Sequence, residues 1–544
     1  MSNGMTVGEY LVQQLARHGV RHVFGVPGDY SLSLIEEMGK GPVEFRGTCD
    51  EQGAGFAADG YARLAGLGAV CVTYAVGSLK VANTTAQAFA ERSPVVVICG
   101  APGLKERERH PLLHHRVNQF DTQVKIFREL TVASAVLDNP ETAFAEIDRV
   151  LHAAERYKLP VYLEVPRDMV SAQGTSGHVH RDVPEVSDPG ALSEALQEAG
   201  EMLASARQPV IIAGVELKRF GLHQQLLRFA EGLHIPIAVT MEGKSVVPDD
   251  HPLYLGLYAG AIGQEPIARY VEASDCQLLL GVMLTDINLG MFTAQLDRPR
   301  MILANTDGVA IRHHTYDVRT RHFLDGLLEL NAPVAAPAFP DPPAPGPFQP
   351  EHERPITVAR LFERLRGFAT ADMVVLADIG DSLFGALDMR ICRDGGFLCT
   401  PYYSNMGFAV PGSIGVQSYD PRLRPLVLVG DGAFQMTGME LSTAARYGLS
   451  PIVLVLNNGG YATERFFLDG PFNEIHPWAF HRLPDLLNTG AGFTVRTEGD
   501  LEHALTAALA NTATFSLLDI QLARGDVSEG LRRLGERFGK TVRG

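Results

Sequence analysis

The sequence predicts an α/β protein of three modules, each with a mostly parallel sheet flanked by helices. Apolar runs of strand length, such as PVVVICG and RPLVLVG, end at glycine and alternate with segments whose apolar residues recur at helical spacing. The chain's 544 residues exceed what one hydrophobic core serves, and that length suggests roughly three to four units. A proline-dense stretch, APVAAPAFPDPPAPGPFQPEHERP, interrupts the pattern, because repeated prolines remove amide donors and hold the backbone extended.

The N-terminal MSNGMTVGEYLVQQLARHGV mixes charged and apolar residues at helical spacing. It holds neither an uninterrupted apolar run nor a small-residue cleavage site, so no export signal is expected and a cytoplasmic location is. From HVFGVPG to VYLEVPRDM, strand and helix patterns alternate through a first module, residues 1–175. GTSGHVHRDVPEVSDPG is polar and turn-rich, and reads as a connection. A second module, 190–332, follows with strands at PVIIAGV, IPIAVT, CQLLLGV and RMILANT. The proline-rich linker covers 333–355. The third module, 356–544, opens on the helical ITVARLFERLRGF and continues through the strands MVVLADIG, RPLVLVGDG and PIVLVLNN. No tandem repeat of solenoid length is present.

Composition narrows the class. Acidic residues outnumber basic ones, 63 to 47, for a formal charge of −16. That excess, without a long basic block, argues against a nucleic-acid surface. The apolar runs are too short to span a membrane. Six cysteines (Cys49, Cys71, Cys99, Cys276, Cys392 and Cys399) are scattered without a CxxC pair. They read as reduced, buried thiols, neither a disulfide framework nor a zinc site. A small-molecule enzyme fits these bounds.

The third module carries a specific constellation in LVLVGDGAFQMTGMELSTAARYGLSPIVLVLNNGGYATERF. One buried strand runs into Gly430-Asp431-Gly432, a helix-like segment follows, and a second buried strand ends in Asn457-Asn458. Both polar clusters thus fall at the carboxyl ends of parallel strands, where open α/β sheets bind ligands. The Asp431 carboxylate, the Asn458 side-chain carbonyl and a backbone carbonyl among the following glycines form an all-oxygen set suited to Mg2+. The helix expected after Gly432 would point amide donors at an anion, so a bound diphosphate is the natural partner. A lone GDG is more often an ordinary strand-to-helix turn. The pairing of GDG with NN, each closing a strand, is far more specific.

RHPLLHHRVNQF raises a separate question with its adjacent His114 and His115. A metal site, a proton relay and a solvated loop are all compatible with two imidazoles. Neighbouring residues rarely face one point, so the pair by itself is a poor chelate.

The GDG and NN pairing resembles the cofactor motif of the thiamine diphosphate (ThDP) enzymes. In the first module, VFGVPGDYSLSL, TCDEQGAGFAADGYARLAG and TYAVGSLKVANTTAQAFAERSPVVVICGAP resemble the pyrimidine-binding domain of ThDP-dependent 2-oxo acid decarboxylases. With LLHHRV added, the similarity is to the pyruvate, indolepyruvate and phenylpyruvate decarboxylase group, and it covers essentially the whole chain. The resemblance implies a ThDP-binding fold with a pyrimidine-binding module, a central module of regulatory type and a diphosphate- and Mg2+-binding module. It implies non-oxidative release of CO2 from a 2-oxo acid, leaving an aldehyde, through a ThDP ylide.

The same resemblance assigns residues. Glu51 would hydrogen-bond the pyrimidine N1′, and a carboxyl beside small apolar residues is suited to sharing a proton with a ring nitrogen. By itself Glu51 is also an ordinary first-turn acid, and Asp29 an ordinary N-cap after the Pro27-Gly28 turn. In the resembling enzymes Asp29, His114, His115 and Glu464 match an acid-base set, so the histidines are expected to move protons and not to hold a metal. His115 is expected to be the nearer of the two to the reacting atoms. Thr73, Asp381, Ser404, Gly430, Gly432, Ala433, Gly460 and Tyr461 match cofactor contacts. Asp431, Asn458 and Gly460 match the metal ligands. Met406 matches the bulky apolar residue that bends the cofactor, where the family more often has a branched aliphatic.

Asp286 and Phe384 are the candidates for the substrate pocket. GVMLTDINLG, LDM and YYSNMGFAVPG resemble the phenylpyruvate and indolepyruvate enzymes, while Glu464 is a feature of the pyruvate and indolepyruvate type. An aromatic or bulky 2-oxo acid is the expectation, with pyruvate or a branched-chain 2-oxo acid as the alternative. An acetolactate synthase-like carboligase would lack the adjacent histidines, and a non-catalytic relative would have lost Glu51, Asp431 or Asn458. The resemblance further implies a homodimer as the minimum active unit, with cofactor sites shared between subunits, and a homotetramer as the assembly. The tail SEGLRRLGERFGKTVRG is expected either to form a helix over the active-site opening or to fray.

Overall fold

The computed structural model describes residues 4–175, 177–180, 184–330, 338–340 and 346–542, with side chains through residue 536. Much of the proline-rich linker expected at 333–355 lies outside the described residues. Among the described residues three sheets are present, each in a separate stretch of the chain.

The first sheet comprises β1 (His22–Gly25), β2 (Glu44–Gly47), β3 (Gly68–Val72), β4 (Val95–Ala101), β5 (Ala133–Val136) and β6 (Val161–Pro166). Its order is β2-β1-β3-β4-β6-β5 and every pairing is parallel. The second comprises β7 (Pro209–Ala213), β8 (Ile237–Val239), β9 (Tyr254–Leu257), β10 (Cys276–Leu280), β11 (Met301–Asn305), β12 (Gly308–Ile311) and β13 (His314–Tyr316). Here β11, β12 and β13 pair antiparallel at one edge of an otherwise parallel sheet. The third comprises β14 (Met373–Ala377), β15 (Phe397–Leu398), β16 (Arg424–Gly430), β17 (Ile452–Asn457), β18 (Ala491–Val495) and β19 (Ser516–Gln521). It is fully parallel, in the order β15-β14-β16-β17-β19-β18.

The buried strands are continuous apolar runs because helices cover both faces of each sheet. The first and third modules share a core through two helices, Glu51–Ala65 and Ala409–Tyr419. Glycines permit the approach. A Cβ on Gly60 would lie 2.4 Å from the Gly412 carbonyl oxygen, and one on Gly415 would lie 2.0 Å from that of Ala57. Arg63, wholly buried at this seam, pairs with Asp59 at 2.8 Å and donates to the Cys399 carbonyl at 2.7 Å. Its charge is therefore matched where water is absent.

Three details differ from the sequence reading. The helix after β16 starts at Asp431, two residues earlier than expected, because the glycine preceding it already serves as N-cap. Asp29 is not an N-cap; Ser31 occupies that position before the helix Leu32–Lys40. All six cysteines are free, but Cys49 and Cys392 are exposed and only the other four are buried. Among the described residues, no helix is long and apolar enough to cross a membrane.

Candidate active site

The carboxyl ends of β14, β16 and β17 open into one cavity of about 310 Å³. The GDG segment contributes Gly430, Asp431, Gly432 and Ala433 to its wall. The NN segment contributes Asn458, Gly460, Tyr461 and Glu464. Asp381 and Phe384 enter from the short helix Asp381–Ala386, and Ser404 and Met406 from the loop before Ala409. Residues distant in sequence meet here because parallel crossovers return each strand end to the same edge.

Asp431 is buried and fully engaged. Its Oδ1 accepts from the Gly432 amide at 2.8 Å. Its Oδ2 accepts from the amides of Asn458, Gly459 and Gly460 at 3.1, 2.7 and 3.1 Å. Burial pushes its carboxyl above the usual range, and these four amides act against that rise by favouring the anion. The carboxylate thereby folds the NN turn around itself. The Asn458 Oδ1 is buried without a hydrogen-bond partner, and a buried carbonyl oxygen left unpaired is costly. A cation beside Asp431 would satisfy it. Among the described residues the Gly460 carbonyl accepts the Ala462 amide, at 3.1 Å, and its second lone pair would serve the same ion. The Arg465 guanidinium takes the carbonyls of Asn458 and Gly459, at 3.2 and 2.8 Å, and holds the rest of the turn.

Gly430, the N-cap of the helix Asp431–Thr437, offers no side-chain cap, so apart from the Gly432 amide held by Asp431 the first-turn donors are left to an anion. Gly432 is required here: a Cβ would lie 2.5 Å from the Tyr461 ring. The donor set and the open helix end fit a diphosphate with a hard divalent cation.

Asp378, which sequence reasoning missed, positions the opposite wall. It follows β14 and accepts the amides of Gly407 and Ala409 at 2.9 and 3.0 Å, fixing the loop that carries Met406. Burial pushes its pKa up to about 6. Asp381 is likewise pushed up to about 6 by burial. Ser404 adopts a left-handed φ of 57° and donates its hydroxyl to the Pro401 carbonyl at 2.8 Å.

The apolar end of the cavity also went unread in sequence. Ile287 comes from the middle module, Phe467 from the helix Ala462–Phe467, and Leu534 from the C-terminal helix Glu529–Val542. Asp286 is not among the lining residues; its Oδ1 accepts the Ile287 amide at 2.8 Å. The C-terminal tail is thus a helix against the cavity, with Leu531 and Leu534 buried.

A second group lies in the first module. Glu51 is the first residue of its helix, after the Asp50 cap, and its side chain is 13% exposed. Lys80 Nζ lies 2.8 Å from Glu51 Oε2, a cation where the sequence pointed only to small apolar neighbours. Thr73 is buried with its hydroxyl oxygen unpartnered. Asp29, His114 and His115 gather at one point: His114 Nε2 is 2.8 Å from Asp29 Oδ2, and the two imidazole centroids are 4.8 Å apart. Tyr30 stacks on His114 at 4.8 Å. None of Glu51, Thr73, Asp29, His114 or His115 lines the cavity that holds Glu464 and Asp431. The expected acid-base set is therefore split between two places in one chain.

Comparison with known proteins shows the family of the chain. Residues 5–124 match the N-terminal TPP binding domain of thiamine pyrophosphate enzymes, 196–325 their central domain and 378–520 their C-terminal TPP binding domain. An indole-3-pyruvate decarboxylase of Azospirillum brasilense is 37% identical over 538 residues, which is 97% of each chain. Pyruvate decarboxylase 1 of Pisum sativum is 30% identical over 552 residues, covering 98% of this chain and 93% of the relative. An alpha-keto-acid decarboxylase of Mycolicibacterium paratuberculosis is 33% identical over 540 residues, covering 96% and 94%. The chain therefore belongs to the thiamine diphosphate enzymes, within the 2-oxo acid decarboxylase family.

Proposed function

We propose that the protein releases CO2 from an aromatic or otherwise bulky 2-oxo acid, such as phenylpyruvate or indolepyruvate, and leaves the aldehyde. The observation that carries the substrate size is the apolar part of the cavity wall, where Ile287, Phe384, Phe467 and Leu534 line the same cavity as the diphosphate-type residues. Such a wall favours an aryl group through burial of its surface. The similarity to the Azospirillum enzyme named for indole-3-pyruvate points the same way. The pea relative, named for pyruvate, favours pyruvate as the second reading.

Bound ThDP supplies the carbon nucleophile and the electron sink for decarboxylation. Asp431, Asn458 and the Gly460 carbonyl would hold Mg2+, and the helix end at Gly430–Ala433 the diphosphate. Asp381, Ser404 and Tyr461 would frame the cofactor, with Met406 under its bend. Glu51 and Thr73 would face the pyrimidine. Asp29, His114, His115 and Glu464 would carry protons to and from the product carbon and oxygen.

In this reading residues 1–175 bind pyrimidine, 190–332 form the central domain and 356–544 bind diphosphate. Because the two residue groups lie apart in one chain, a second copy would complete each site. A homodimer is the smallest active unit and a homotetramer the assembly. Six unpaired cysteines suit a reducing, cytoplasmic setting.

The test is parallel measurement of CO2 and aldehyde from phenylpyruvate, indolepyruvate and pyruvate, with ThDP and Mg2+ and again after chelation. Metal-dependent turnover favouring the aryl substrates is expected. A preference for pyruvate would overturn the substrate assignment and keep the chemistry.

A further inference from the structure

The adjacent histidines are a poor chelate on sequence grounds because neighbours diverge, and the structure removes that objection. His115 adopts a left-handed φ of 66°, which a non-glycine residue rarely does. The turn brings both imidazoles to the Asp29 carboxylate, and one ligand atom from each of the three residues lies within 4.8 Å of the others. The rings stand at 86° to each other, and the Tyr30 ring lies nearly parallel to that of His114, at 14°. His115 Nδ1 is buried with no hydrogen-bond partner. Arg167 approaches Asp29 Oδ2 to 4.0 Å, and its charge is drawn off by an ion pair with Glu106.

We infer that Asp29, His114 and His115 form a binding site for a borderline transition-metal cation, Zn2+ above all, whose occupancy silences the enzyme. Two imidazole nitrogens and one carboxylate oxygen suit Zn2+ and fail to suit Mg2+, which demands oxygen ligands. The site is thus chemically distinct from the oxygen set at Asp431 and Asn458. A metal ion there occupies the lone pairs that would otherwise accept protons. The silencing rests on the proposed proton-transfer role of these residues; the binding does not.

The experiment uses the enzyme loaded with ThDP and excess Mg2+. Zn2+ is added, unbound metal is removed by gel filtration, and retained zinc is measured by mass spectrometry beside CO2 release. One zinc per chain and a loss of CO2 release, reversed by a chelator selective for Zn2+ over Mg2+, are expected. His114→Gln and Asp29→Asn should each weaken zinc retention by at least the about tenfold that losing even an outer partner of a metal site costs, with bound Mg2+ unchanged. Absence of retained zinc, or equal retention by both variants, overturns the site. Zinc retained by the wild type, lost from the variants and without effect on CO2 release supports the site and overturns the proton-transfer reading.

Discussion

Asp381 accepts the backbone amide of Ser528 through both carboxylate oxygens, at 3.0 Å each. Ser528 in turn accepts the Leu531 amide with its hydroxyl at 3.1 Å, at the start of the C-terminal helix. One buried carboxylate therefore both lines the cavity and anchors the helix that supplies Leu534 to it.

That burial makes folding stability depend on pH. Asp381 is pushed up to about 6, from an ordinary 3.8, by loss of water. Between those values the folded chain binds more protons than the unfolded one, so this group's contribution falls as pH rises through the window and is lowest above it. The cost at pH 7 is at most about 3 kcal/mol. Asp381→Asn keeps one oxygen for Ser528 and carries no charge. It should melt above the wild type at pH 7, by calorimetry without added cofactor, and lose that advantage near pH 4.

Asn458→Ala should weaken Mg2+ binding with little change in folding, since among the described residues its Oδ1 has no hydrogen-bond partner. Asp431→Ala should do more. It strands the four amides that now donate to the carboxylate, so the NN turn should loosen and ThDP binding be lost with the metal. Calorimetric titration with Mg2+ and ThDP, beside thermal melts, separates the two. Unchanged Mg2+ affinity in Asn458→Ala would remove that residue from the metal site.

Glu51→Gln should slow CO2 release by about a hundredfold or more, the scale of lost general acid-base catalysis, with ThDP still bound. Turnover within a few-fold of wild type would free the reaction from Glu51. Lys80→Met, which removes the cation 2.8 Å from the carboxylate, should alter the pH profile of turnover while leaving the fold intact, because Lys80 is half-exposed.

Ile287→Trp should narrow the apolar end of the cavity. Its kcat/KM should fall by about tenfold or more for indolepyruvate and much less for pyruvate, measured by CO2 release. Equal losses for both substrates would show that Ile287 does not limit substrate size.

The two strand-terminal motifs, GDG and NN, were legible early. Asp431 and Asn458 are read from the two apolar runs that precede them, and both line the cavity. Lys80, Ile287, Asp378, Phe467 and Leu534 were not legible. A lysine, an isoleucine or a leucine in an amphipathic segment has no local mark separating a cavity wall from an ordinary core or surface position.

The sequence alone determined the three α/β modules, the strand-terminal motifs and the family resemblance, because buried parallel strands and phosphate-binding turns are local patterns with few substitutes. Only the tertiary structure decided that Asp431 gathers four amides, that the C-terminal helix packs against the cavity, and that His114 and His115 turn onto Asp29. Each of those depends on contacts between segments far apart in the chain, or on one backbone angle at His115 that its own side chain does not dictate.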